Sequence, residues 1–134
     1  MLVPRQKQDE LIRGFEKAYK TFFPNGALDD VHYGSIVNDM HFQRLTSLLD
    51  RSKGERVAGV MEGRANPMKR RFEPVVVKNV KADDSLLEEY VIAIGVHVLE
   101  SLLILCNFRE IFGPILPIIA VDSLNEAIDL INER

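Results

Sequence analysis

Residues 86–117 read LLEEYVIAIGVHVLESLLILCNFREIFGPILP, and the twenty residues 90–109 inside that stretch limit the possible folds more than anything else in the chain. Ten of them are Val, Ile or Leu. In water such a block is expected to be helical, with His97, Glu100 and Ser101 on a narrow polar face and every other side chain needing cover. A membrane span is the rival. Ten branched aliphatic residues contribute roughly -3 to -6 kcal/mol on an insertion scale, while Glu100 near the middle costs about +3 and Gly95, His97 and Asn107 add to that. The sum is near zero. Glu88, Glu89 and Glu110 crowd the two ends, where an anchor would show a Lys or Arg bias. Membrane anchoring through residues 90–108 is therefore the weaker expectation.

The rest of the chain speaks for a water-soluble α/β domain. With 134 residues, 46% of them apolar and 28% charged, it has enough chain for one core and too much apolar content for disorder. Its net charge of -3 gives no general attraction to nucleic acid or an anionic surface. Cys106 is the sole cysteine, and the opening MLVPRQKQDE lacks the apolar core of a signal peptide, so a reducing, cytoplasmic setting is expected.

Periodicity places the elements. Leu11, Phe15, Ala18, Tyr19 and Phe22 recur at helical spacing until Pro24, Asn25 and Gly26 stop the ladder. A second helix is predicted from about Asp39 to Arg51, with Phe42, Leu45, Leu48 and Leu49 on its inner side. VAGV from Val57 and EPVVVKNV from Glu73 read as strands, and the span between them, with Gly63, Asn66, Pro67 and the bases Lys69, Arg70 and Arg71, reads as a solvated loop. ILPIIAVD reads as one buried strand. In SLNEAIDLINER, Ser123 and Glu126 have capping-box spacing, and Leu124, Ala127, Ile128 and Ile131 form the stripe expected to be buried.

Tests for a self-contained active site fail. His32, His41 and His97 share no ligand spacing, and Cys106 has no CxxC partner, so no metal site is predicted. The apolar neighbours of Cys106 would raise its pKa and keep it inert. Glu88 with Glu89 and Asp83 with Asp84 look like solvated turn and cap residues.

Three passages, taken in order, resemble one family. HYGSIVNDMHFQRLTSLLD, FEPVVVKNVKADDSLLEE and EIFGPILPIIAVDSLNEAIDLINER are similar to the later part of the catalytic domain of NAD(P)-dependent aldehyde dehydrogenases, nearest the class 3 or fatty-aldehyde branch. LVPRQKQDELIRGFEKAYKTFFP resembles the strand and helix that follow the catalytic cysteine in that family. E-x-F-G-P followed by P-I and then D-S-x-x-E-A-I makes the match specific. The resemblance implies oxidation of an aldehyde to a carboxylic acid: a cysteine thiolate attacks the carbonyl, a hydride passes to NAD or NADP, and a glutamate-activated water hydrolyses the thioester. In the family the nucleophilic cysteine, the base glutamate and the nucleotide-binding domain all lie upstream of the LVP passage. None is expected here.

What the resemblance carries over is cofactor contact. Glu110 matches the glutamate that bonds the nicotinamide ribose, and Phe112 the aromatic that packs near the nicotinamide. The expectation is thus an incomplete fragment of the catalytic domain, an open sheet with flanking helices, inactive alone and holding no cofactor tightly. Deleting residues 90–109 restores DSLLEEEIFGPILPI, which reads like an unbroken family sequence. The block is accordingly an atypical insertion in a domain running 1–134, and its junction codons suit a translated intron in a truncated gene model. Expected partners are an aldehyde substrate and dehydrogenase subunits, in a homo- or hetero-oligomer, with no nucleic acid. The alternative is a non-catalytic fragment that docks on a full-length dehydrogenase through an open sheet edge.

Overall fold

In the computed structural model, which describes residues 1–57, 63–87 and 111–133, the chain starts on a short strand and enters its first helix at once. Strand β1 (Leu2–Pro4) leads through a single 3-10 turn into α1 (Gln8–Phe22). Helix α2 (Asp39–Arg51) follows a long loop. Its start is set chemically: Asn38 accepts a hydrogen bond from the His41 backbone N–H at 2.7 Å, satisfying a donor the helix cannot. Four strands come next: β2 (Glu55–Arg56), β3 (Ala65–Asn66), β4 (Arg71–Phe72) and β5 (Val75–Lys78). After the undescribed residues lie β6 (Ile115–Pro117), β7 (Ile119–Val121) and α3 (Leu124–Asn132).

Strand β5 is the centre of the architecture. It pairs antiparallel with β2 and parallel with β6, Val75 opposite Ile115 and Val77 opposite Pro117. Because successive side chains on a strand point to opposite faces, Val75 and Val77 join Phe42, Leu45, Leu48 and Leu49 of α2, while Val76 joins Ile12 and Tyr19 of α1. The sheet is covered on both sides. That is the α/β arrangement expected from the sequence, and it explains why VVVK reads as a continuous apolar run rather than an alternating one.

The stretch ILPIIAVD departs from its expectation of one strand. Strand β6 stays with β5, while β7 pairs parallel with β1, Leu2 opposite Ile119 and Pro4 opposite Val121. Pro117 carries no N–H for a ladder, and Ile118, fully buried at the break, donates to Val77 O at 2.8 Å and accepts from Val80 N at 3.0 Å. One run of sequence thereby joins two sheets.

Three other expectations are corrected. Phe22 is 74% exposed and Ala18 is also exposed; the buried apolar side chains of α1 are Ile12 and Tyr19, with Leu11 and Phe15 half-buried against the same cluster as expected. Phe23, one residue past the helix, packs between Tyr19 and Tyr33 at ring distances of 5.4 and 5.3 Å. The span with three bases is a β3–β4 hairpin laid on the preceding loop, not a free solvated loop. Lys69 bonds Asp29 at 2.8 Å, and Arg71 donates to Leu28 O and Asp30 O, both at 2.8 Å. Asp84 is buried, not solvated: it accepts from Ser52 Oγ, Lys53 N and Leu86 N, and so ties the 84–87 turn to the end of α2. Asp83 is exposed as expected.

Helix α3 begins as its sequence says, with Glu126 N donating to Ser123 Oγ at 3.1 Å. The return bond is shifted by one residue, since the Glu126 carboxylate accepts from Asp122 N at 2.6 Å. Its apolar stripe is open: Leu124 is 75% exposed and Ile131 63%. Among the described residues no helix is long and apolar enough to cross a membrane. Of the remaining sequence expectations, the helical form of residues 90–109, the inert state of Cys106, the settings of Glu88 and Glu89 and part of the VAGV strand lie outside the described residues.

Candidate functional site

The E-x-F-G-P turn is where the sequence points, and the structure describes it from Ile111 onward. Glu110 lies outside the described residues. Phe112 has φ 43°, a left-handed backbone that costs a bulky side chain on the order of 1 kcal/mol or more. Its ring is turned outward, 70% exposed. Such a conformation persists only if its surroundings hold it, and the holding is visible.

Helix α2 supplies the anchors. Arg44 Nη2 donates to Ile111 O at 2.6 Å, and His41 Nε2 donates to Phe112 O at 2.8 Å. Arg44 Nε also donates to His41 Nδ1 at 3.3 Å, which leaves the proton on Nε2 where the carbonyl needs it. Both side chains lie three residues apart on one helix face, so a single rigid element grips two successive carbonyls. Beneath the turn, a Cβ on Gly113 would come within 2.6 Å of Leu45 Cδ1. Only glycine lets the backbone sit this low on α2 while that leucine stays in place. Ile111 and Ile115 go into the core on either side of the exposed ring.

The sequence marks Phe112 but not its clamp. His41 and Arg44 look like an ordinary exposed helix pair, and nothing in their spacing says that they reach a turn some seventy residues later. Of the histidines, His32 is exposed on a loop and His41 is engaged as described, while His97 lies outside the described residues. Among the described residues no group of three His, Cys, Asp or Glu side chains is placed to hold a metal.

A second polar cluster is structural in its geometry. Glu73, fully buried, receives Arg64 Nε at 2.8 Å, Arg64 Nη2 at 3.0 Å and the hydroxyl of Tyr19. Tyr19 Oη accepts in turn from Ala27 N at 3.2 Å, and Tyr33 Oη donates to Phe72 O at 2.7 Å. Burial pushes the Glu73 carboxyl up, but Arg64 and the Tyr19 hydroxyl outweigh it and hold the group below the ordinary glutamate range. Burial, with Tyr19 and Glu73 nearby, pushes the Tyr33 hydroxyl up to about 12. The carboxylate is sealed in by its partners, which suits a fastener rather than a catalyst.

A groove of about 720 Å³ runs along α2 beside Pro67 and Met68 and is lined by Asp39, Phe42, Thr46 and Asp50 among others. It holds no histidine or cysteine, so it offers no nucleophile paired with an imidazole base.

Residues 1–93 match the model of the aldehyde dehydrogenase family. The whole chain aligns with the 4,4'-diaponeurosporen-aldehyde dehydrogenase of Staphylococcus aureus at 33% identity, covering 24% of that protein. Over 127 residues, 95% of the chain, it is 32% identical to the dimeric NADP-preferring aldehyde dehydrogenase of Mus musculus, covering 22% of it. A solved structure of the S. aureus AldH in a substrate-bound state superposes with a TM-score of 0.74 at 32% identity, over 99% of this chain and 24% of that one. The chain thus spans about a quarter of the length of the relatives it matches.

Proposed function

The chain belongs to the aldehyde dehydrogenase family, and from that premise we propose that it supplies the wall beside the cofactor in an NAD(P)-dependent aldehyde oxidation that these residues do not complete alone. The observation that carries this is the Phe112 turn: an exposed ring on a left-handed backbone, clamped from below by Arg44 and His41. A flat apolar face held rigidly at a surface fits a nicotinamide ring, and Phe112 takes that role. Glu110, two residues before it, takes the ribose. When bound in a complete family member, NAD or NADP accepts the hydride; the chain's part is to position it.

The class 3 branch is our finer assignment, supported by identities of 28–33% to relatives that include aldehyde dehydrogenase family 3 members of rat and mouse. The substrate is an aldehyde, and the partners are dehydrogenase subunits in a homo- or hetero-oligomer. A single cysteine, Cys106, supports a cytoplasmic setting. We also retain the division of the domain by an insertion at residues 90–109, supported by the family sequence that its deletion restores.

A chimera tests this reading. Residues 1–89 joined to 110–134 replace the matching quarter of the S. aureus relative, and NAD(P)H formation is followed with an aldehyde present. Turnover within roughly tenfold of the parent enzyme is expected, a difference of about 1.4 kcal/mol in barrier. A folded chimera without turnover contradicts the assignment. The same chimera carrying residues 90–109 is expected to lose activity or to aggregate, and equal activity with the block would remove the case for an insertion.

A further inference from the structure

We propose that Asn25 is a site of spontaneous deamidation to isoaspartate and aspartate, and that the change loosens the buried Tyr19–Glu73–Arg64 cluster. Of the asparagines in the chain, Asn25 alone is followed by glycine. It is exposed, and it lies beyond the end of α1, which closes with Phe23 N donating to Tyr19 O. Gly26 has φ 89°, and a Cβ built on it meets nothing within 4 Å, so the backbone has both the freedom and the room to close a five-membered ring. The Gly26 N–H donates to Phe23 O at 3.0 Å, a single exposed-turn bond that must open first.

The chemistry needs only water. The deprotonated Gly26 nitrogen attacks Asn25 Cγ, the new C–N bond forms as the Cγ–NH2 bond breaks, and ammonia leaves with the proton. Water then opens the ring at either carbonyl. Opening at the main-chain carbonyl gives isoaspartate, which adds a methylene to the backbone; opening at the other gives aspartate. Both products place a new carboxylate just past the C-terminus of α1, the end where negative charge is unfavourable.

The consequence follows from what the turn leads into. Ala27, two residues on, is fully buried, and its N–H donates to Tyr19 Oη, the hydroxyl that in turn bonds Glu73. A longer backbone at residue 25 displaces that N–H. The cluster joining α1 to the β3–β4 hairpin then loses one of its members.

The test is ageing of the purified chain at neutral pH, with peptide mapping by mass spectrometry and isoaspartate detection. Conversion at Asn25 is expected to run at least severalfold ahead of that at exposed Asn132, which precedes Glu133 in the same molecule. Equal rates at the two sites overturn the proposal. The aged fraction, separated by its extra negative charge, is expected to unfold at a lower temperature than fresh protein. An Asn25→Gln variant is expected to resist both changes. An unchanged midpoint in a fully isoaspartyl fraction would overturn the link to the Tyr19 cluster.

Discussion

Helix α2 buries Phe42, Leu45, Leu48 and Leu49, while α3, whose Leu124, Ile128 and Ile131 recur at similar spacing, leaves them 75, 45 and 63% exposed. Both helices start on side-chain caps of the same kind, Asn38 for one and Ser123 for the other. Their difference is therefore not in local coding. Helix α2 has β5, Phe72 and the 84–87 turn to lie against, and the described residues give α3 little beyond β7. Periodicity tells which face wants cover; it does not say whether cover is present.

The contrast can be broken by truncation. Leu45→Ala removes a fully buried side chain that also packs beneath Gly113, and is expected to cost about 2–5 kcal/mol in denaturant unfolding. Ile128→Ala on α3 is expected to stay within about 0.5 kcal/mol. Equal losses would mean that α3 is packed after all.

Next in size is the fastener on the α1 side of the sheet. Glu73→Gln keeps the shape but removes the charge that receives Arg64 and Tyr19, and a loss of about 1–3 kcal/mol near neutral pH is expected. The folded carboxyl sits below its unfolded value, so its contribution is present above the ordinary glutamate range and fades as pH falls through the depressed folded value. The variant should accordingly show a flatter acid limb. Stability profiles that run parallel from neutral to acid pH would contradict the assignment.

Smaller still is the clamp. His41→Ala removes the donor to Phe112 O and is expected to cost about 1 kcal/mol, with faster amide exchange confined to residues 111–113. Unchanged exchange there would show that Arg44 suffices. The smallest effect on stability belongs to Leu124→Lys, expected within about 0.5 kcal/mol because the side chain is already 75% exposed. A larger loss would mean that the start of α3 is packed after all.

The uneven legibility of the sequence has physical causes. The limits of α2 could be read because Phe42, Leu45, Leu48 and Leu49 keep helical spacing within its thirteen residues. The Val75–Lys78 strand showed through because burial on both faces makes a continuous β-branched run. The split of ILPIIAVD was hidden, although Pro117 was its signal, because apolarity is the same on both sides of the break. Asp84 misled because a buried carboxylate and a solvated one share a letter, and only its three donors decide. For the site, the motif around Phe112 was legible, while its left-handed backbone and the grip of His41 and Arg44 are tertiary facts with no local trace.

What sets Phe112 apart from α3's exposed residues is that its exposure is enforced: a strained backbone, two anchored carbonyls and a glycine beneath it. The direct measurement is the KM for NAD(P) in the active chimera with Phe112→Ala beside the same chimera unaltered. A rise of roughly tenfold or more, about 1.4 kcal/mol, is expected while the fold stays intact. An unchanged KM and kcat in that variant would mean that the ring does not face the cofactor.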